Sequence, residues 1–424
     1  MKRLLALAFL VAASAVHAEP IGEEGARHLL GRAGFGATPA EVAAFAPLER
    51  AEAVDRLLAG ARREAVTPPP ASATTFEPYP RLGQLPEEER KAARQKLVRE
   101  GLELREWWMR EMLDTPSPLT ERMTLFWHNH FATSQRKVRI TSLMYGQNVL
   151  LRREALGNFA TMLHEVAKDP AMLIYLDNAR SRKEAPNENF AREVMELFTL
   201  GEGHYGEPDI KEAARAFTGW SIESTTGQFR YRPFIHDGGV KTVLGKSGRF
   251  TGDDVLDILL ARPETAEFVA TKLWREMVSP TPDPAEVKRI ASVFRDSRYQ
   301  VKPLVRAMLL SDAFWAPGNR AAIIKSPVDV VVGTLRTYDV HPAVLRQSVV
   351  ASAALGQNLF TPPNVKGWPG GDAWIDSATL LGRKQYLERL FRGGDNLMVA
   401  RRADGAAEAE AIRLAVAKPE FQLK

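Results

Sequence analysis

The chain has 424 residues, 45% hydrophobic and 26% charged, with a formal charge of +5. That is the balance of a soluble globular protein, long enough for one large domain or two ordinary ones, not of a disordered or membrane-embedded chain. It has no cysteine, which excludes disulfides, Cys-based zinc sites and thiol catalysis. Its Arg and Lys are scattered, with no basic stripe interleaved with aromatics, so no nucleic-acid partner is expected.

Residues 1–18, MKRLLALAFLVAASAVHA, combine a Lys2-Arg3 head, an apolar run from Leu4 to Ala13 and a small-residue site ending at Ala18. They read as a secretory signal peptide, too short in its apolar part to span a bilayer. An exported protein, periplasmic or extracellular and without a transmembrane segment, is the expectation. Removing Lys2 and Arg3 lowers the formal charge from +5 to +3.

Residues 19–65 read as an N-terminal helical segment. Within it HLLGRAGFGAT at 28–38 is Gly-rich but follows no strand, so it is weak evidence for a phosphate cradle. His28 and Arg32 are spaced to share a helix face. Residues 66–86, rich in Pro, Ser and Thr, read as an extended connector. From 87 to 392 a main helical domain is expected, mainly α with one small β-hairpin near 227–250. Leu97, Gly101, Leu104, Trp108 and Met112 fall on one helical stripe. Ser117-Pro118, Asp169-Pro170, Asp283-Pro284 and Ser326-Pro327 each place a capping oxygen before a proline suited to a first helical turn. Asp209 and Asp283, each with a Glu three residues on, read as capping boxes. QFRYR and VKTVLGK, separated by Asp237-Gly238-Gly239, supply the two hairpin strands and their turn. Residues 393–424 form a charged, Ala-rich tail expected to dock loosely.

Three stretches carry candidate chemistry. In WHNHF, His128 and His130 lie two residues apart. On a helix each residue advances by about 100°, so they point in roughly opposite directions and cannot grip one ion as they could from a strand. Either the helix ends early and both enter a pocket, or one is a buried histidine satisfied by a carboxylate. In YLDNARSRKEAPNENFAREVMELFTLGEGH, Asn187 caps a helix running to Leu200, with Phe190, Val194, Leu197 and Phe198 on its apolar side. Glu188, Arg192, Glu196 and Thr199 occupy the polar side, flanked by Asn189 and Glu193, which an ordinary solvated, salt-bridged face would also explain. Asp177, Asn178, Asn187, Glu188 and Asn189 crowd the preceding loop with oxygens of the kind that bind Ca²⁺, Mg²⁺ or sugar hydroxyls. In NLFTPPNVKGWPGGDAW, Trp368 and Trp374 anchor a rigid loop to the core, or Trp368 with Asn364 and Lys366 offers a ligand platform. His236-Asp237 at the hairpin turn is explained mostly by turn formation.

Two functions compete. In the first, an extracytoplasmic enzyme hydrolyses or transfers on a polysaccharide or its ester. His128 or His130 is the general acid/base, its tautomer held by Asp177 or Glu188, and Arg192 or Arg180 binds an anionic group. Asn178, Asn187, Asn189, Trp368 and Lys366 complete the substrate site, and a divalent metal held by Asp177, Glu188 and His130 is one candidate arrangement. In the second, the protein is a non-catalytic envelope scaffold or a glycan- or partner-binding module, and the polar residues form buried structural networks.

Together ARHLLGRAGFGATPAEV, MTLFWHNHFATS, MLIYLDNARSRKEAPNENFAREVMELFTLGEGHY, DIKEAARAFTGW, KLWREMVSP, IKSPVDVVVGTLR and LFTPPNVKGWPGG resemble the bacterial domain-of-unknown-function family 1800, from about residue 23 to about 390. The resemblance implies an exported bacterial protein, of a kind often paired with a second exported family, number 1501, which itself resembles sulfatases. It implies no reaction.

Overall fold

A computed structural model describes residues 19–78, 82–340, 345–391 and 405–424; the signal-peptide reading lies outside the described residues. The architecture is mainly α, with two small antiparallel hairpins. At its centre the Pro118–His130 helix is buried at every position from Leu119 to His130 except Asn129. A helix buried all round normally lacks polar groups, and the charged groups of this one are each paired. The Glu121 carboxylate accepts from Arg152 (2.5 and 2.9 Å) and from the Trp108 indole (2.8 Å). Arg122 donates to the Gly34 carbonyl and pairs with Asp329 and Glu276.

Two apolar cores flank this helix. Leu119, Met123, Phe126 and Trp127 pack into one, with the helices Phe159–Lys168, Gly252–Leu260, Pro263–Met277 and Val301–Leu309. Leu125 faces the other, built from the buried half of Glu87–Asp114, the Pro327–Thr337 helix and the loop carrying Trp368 and Trp374. The expected stripe on Glu87–Asp114 is buried from Gly101 onward, and Leu97 is half-buried.

All four proline-led starts are helix starts. Asp169, Asp283 and Ser326 cap their helices through the side chain, whereas Ser117 bonds the Thr120 hydroxyl instead (2.8 Å). Asp209 is not a cap: the helix begins at Glu207, and the Asp209 carboxylate accepts from the Gly206 amide (2.9 Å). Asp283 caps, but Glu286 turns to Arg289 rather than completing a box.

The single expected hairpin is two. Phe229–Tyr231 pairs back onto Trp220–Ile222, and Lys241–Val243 pairs forward onto Lys246–Gly248. Asp237-Gly238-Gly239 is a turn between them, its carboxylate held by Arg215 (2.7 Å). The connector is clamped at its start, where Glu111 accepts from the Val66 and Thr67 amides and the Trp107 indole donates to the Thr67 carbonyl (2.9 Å). Within the stretch read as a loose tail, Leu423 bridges Ile324, and the Lys424 ammonium reaches Asp329 (2.9 Å) and Glu276 (3.3 Å).

Asp169 carries a pH dependence. It caps the Pro170–Tyr175 helix at Met172 (3.1 Å) and accepts from the Gln147 amide (2.9 Å). Burial nonetheless dominates, pushing its carboxyl up from 3.8 to about 7. The fold therefore favours the protonated form, and stability falls as pH rises from the ordinary value toward the raised one. Asp169→Asn keeps an acceptor and removes the charge. It is expected to gain about 1 kcal/mol at about pH 8 and little at about pH 4, read from denaturation midpoints.

Candidate functional site

The opposed directions of the two histidines deliver them to different cores. His128 is fully buried among Trp108, Phe360 and Trp368, with ring centroids 5.3, 5.4 and 5.5 Å away. Neither of its ring nitrogens has a hydrogen-bond partner among the described residues, and burial pushes its pKa down to about 3. His130 enters the first core between Phe131 and Trp127, at 4.5 and 5.6 Å. Its Nε2 lies 3.1 Å from the Phe198 carbonyl. A carbonyl only accepts, so that nitrogen carries the proton. Burial, with the Lys272 charge adding to it, holds His130 well below its ordinary value. No carboxylate orients either imidazole, which corrects the expected tautomer support from Asp177 or Glu188. Both rings stay neutral because an imidazolium without a counter-charge is disfavoured in an apolar core.

Asn129, between them, is the outward residue of the motif. Its Oδ1 accepts the Trp368 amide at 2.6 Å. Gly367 makes this approach feasible: its φ is +89°, and a Cβ there would sit 2.2 Å from Asn129 Oδ1. WHNHF thus pins the 358–374 loop, and Trp368 and Trp374 are both buried as anchors. Trp368 is therefore not an exposed platform.

The 175–204 stretch disperses its candidates. Asn187 caps the Glu188–Glu193 helix through Oδ1 and donates to the Leu176 carbonyl (2.6 Å). Asn178 is fully buried, with Nδ2 toward the Phe217 carbonyl. Asp177, in a left-handed conformation, pairs with Lys137 at 2.6 Å. Glu188, Asn189 and Arg180 are exposed. Arg192 does not pair within its helix; it takes Glu207 in a bidentate contact (2.8 and 2.9 Å). Among the described residues no three His, Asp or Glu side chains are grouped as a metal site requires. Asp177, Glu188 and His130 in particular are not brought together.

What does converge is a set only partly foreseen. After Glu193 the helix widens into a π-helical segment, Val194–Thr199, where Thr199 Oγ1 donates to the Val194 carbonyl (2.7 Å). Gly201, at φ +80°, ends it. Such widened turns recur at functional sites. Here the segment presents Glu193 and Glu196 outward while Val194, Met195 and Phe198 are buried. The Tyr205 hydroxyl donates to Glu196 Oε2 at 2.7 Å, and Lys366 lies 4.0 Å from Glu196 and 3.6 Å from Glu202. Glu193 is half-buried. Burial first, then the Glu196 charge, raises its pKa, against smaller pulls from Lys366 and Arg192. Tyr175, itself shifted upward by burial and by Glu193, has the Lys137 ammonium 5.9 Å from its ring centre. Glu193 and Glu196 were legible as members of a polar face. Tyr205 carried no signal beyond proximity in sequence.

The remaining candidates are structural. Arg32 donates to the Met277 (2.9 Å) and Val278 (2.7 Å) carbonyls at the end of Pro263–Met277, and His28 bonds the Phe314 carbonyl (2.8 Å), so this Gly-rich segment binds peptide oxygens. His236 bonds the Thr218 carbonyl (2.9 Å). Surface recesses of 390 and 610 Å³, lined around Arg306 and around Trp315, share no residue with the carboxylate cluster. No helix among the described residues is long and apolar enough to cross a membrane.

Residues 28–423 match the family described as protein of unknown function, DUF1800. No curated protein and no solved structure matches the chain.

Proposed function

The chain belongs to DUF1800, a family of proteins of unknown function, and we propose that it is an extracytoplasmic enzyme acting on a polysaccharide or its ester through Glu193 and Glu196. One observation carries this reading: two neighbouring carboxylates in unlike surroundings, one half-buried and the other held by a tyrosine hydroxyl beside a lysine. Glu193, recessed and facing a like charge, holds its proton to higher pH. Glu196 accepts the Tyr205 hydroxyl and has Lys366 beside it. Paired carboxylates in unlike environments divide into an acid and a base. Glu193 donates a proton to the departing oxygen. Glu196 takes a proton from the water that forms the new bond, or steadies positive charge developing on the sugar, and Tyr205 and Lys366 hold it in place. Tyr175 and Lys137 extend the surface along which a chain of sugars lies. Export rests on residues 1–18.

The test uses purified mature protein on a panel of polysaccharides and their esters, scoring reducing ends and released acids. Glu193→Gln is expected to lower turnover about 10²- to 10⁴-fold. The native rate is expected to fall as pH rises through the raised Glu193 value, since the proton donor is then lost. Turnover indifferent to both Glu193→Gln and Glu196→Gln contradicts the reading. A second reading, glycan or partner binding without turnover, draws support from the core placement of both histidines and Trp368. In that case the same cluster, or a stable complex with an exported sulfatase-like protein of family 1501, gives binding with no product.

A further inference from the structure

The hairpin region carries a feature that the carboxylate cluster does not use. Two segments distant in sequence are tied together: Ser181 accepts the Gly219 amide (3.2 Å), the Lys183 amide donates to Ile235 (2.8 Å), and the Lys183 ammonium donates to the Phe234 carbonyl (3.2 Å). The Trp220–Tyr231 strand pairing fixes the base of this unit, and a short 3-10 turn, Pro233–Ile235, raises its tip. At that tip Phe234 is 70% exposed, with Tyr231 42% and Val240 61% exposed nearby in the chain. One exposed apolar side chain on a soluble protein needs no explanation. Here the apolar tip is tied at the Phe234 carbonyl to the Lys183 ammonium, in a segment that also carries Arg180 and Arg182.

Those cations are under-compensated. Arg182 and Lys183 share a single carboxylate, Glu184, at 4.0 Å from each. Arg180 is exposed and has no acidic partner among the described residues. The other carboxylates of the unit are already taken, Glu223 by Arg230 and Asp237 by Arg215.

We propose that the 180–183 and 231–240 segments form a contact with an anionic lipid bilayer surface, Phe234 entering the headgroup–acyl boundary and Arg180, Arg182 and Lys183 binding lipid phosphates. Apolar wedge and basic collar are the two ingredients of interfacial attachment, each too weak alone. The exposed Phe234 and Val240 favour a bilayer, whose acyl boundary takes up apolar side chains, over a hydrated anionic polymer. This contact lies outside the carboxylate cluster, so the two readings stand or fall separately.

The test is co-sedimentation of the mature protein with vesicles of phosphatidylcholine alone or mixed equally with phosphatidylglycerol. Binding is expected only to the mixed vesicles and is expected to weaken several-fold as salt is raised. Phe234→Asp is expected to reduce it by about tenfold or more, and Arg182→Glu with Lys183→Glu to abolish it. These side chains are solvent-exposed, and an unchanged circular dichroism spectrum and melting point verify the fold. Absence of binding to the mixed vesicles overturns the proposal. So does Phe234→Asp binding like the native protein, which would mean that no apolar insertion takes part.

Discussion

Replacing Asp329 by alanine is expected to lower the unfolding free energy by about 3–5 kcal/mol, because it leaves two buried cations, Arg122 and Lys424, to share the partly exposed Glu276. Asp329 is buried at the start of the Pro327–Thr337 helix, 4% exposed. It accepts from Arg122, from the Lys424 ammonium (2.9 Å) and from the Ser326 amide (3.0 Å). Burial alone would raise its pKa, but the Arg122 and Lys424 charges and their hydrogen bonds together outweigh it and hold the carboxyl well below the usual range. A depressed carboxyl stabilises the fold fully above its ordinary value of 3.8 and loses that contribution as pH falls from there toward the folded value. The alanine variant should therefore lose part of the acid limb of the stability profile as well as the plateau. Asp329→Asn keeps a cap acceptor and removes the charge, so most of the loss should persist. Denaturant melts of the three proteins decide it, and a loss below about 1 kcal/mol for both variants contradicts the account.

Gly367→Ala is the second large effect, expected to cost about 3 kcal/mol. Two causes add. The residue holds φ at +89°, which only glycine adopts readily, and the new methyl would lie 2.2 Å from Asn129 Oδ1 and 2.7 Å from Asn129 O. The loop must move, and the Asn129–Trp368 bond is lost with it. Asn129→Ala removes that bond alone and should cost less, about 1–2 kcal/mol. Tryptophan fluorescence should report loosening around Trp368 in both variants. A Gly367→Ala protein within about 0.5 kcal/mol of native would mean that WHNHF does not secure the loop.

The helical class and the proline-led starts were legible because each rests on local chemistry; whether the Pro118–His130 helix ran through His130 or ended early was left open. The opposed histidines were legible for the same reason, as a consequence of helical angle. Their chemistry was not, since burial among Trp108, Phe360 and Phe159 comes from distant segments. The hairpin was misplaced by a sound turn signal. Asp237-Gly238-Gly239 does turn, but Arg215 takes its carboxylate, and the tight hairpin turn falls at Leu244-Gly245, both at positive φ. A leucine there carries no such signal. The widened turn at Val194–Thr199 has no sequence signature either. Without it Arg192 and Glu193 read as ordinary intrahelical pairs, whereas Arg192 reaches Glu207 and Glu193 is left beside Glu196.

Both WHNHF histidines are neutral packing groups, which leaves the proposed acid–base chemistry to carboxylates. Imidazole ¹⁵N shifts, followed by NMR from about pH 5 to 8, test that division directly. His128 and His130 should remain neutral throughout, with the His130 proton on Nε2, while His164, held between Asp253 and Asp257, stays protonated above its ordinary range. Titration of His128 or His130 near the ordinary value of 6.5 would contradict the account and return the histidines to candidacy as catalysts.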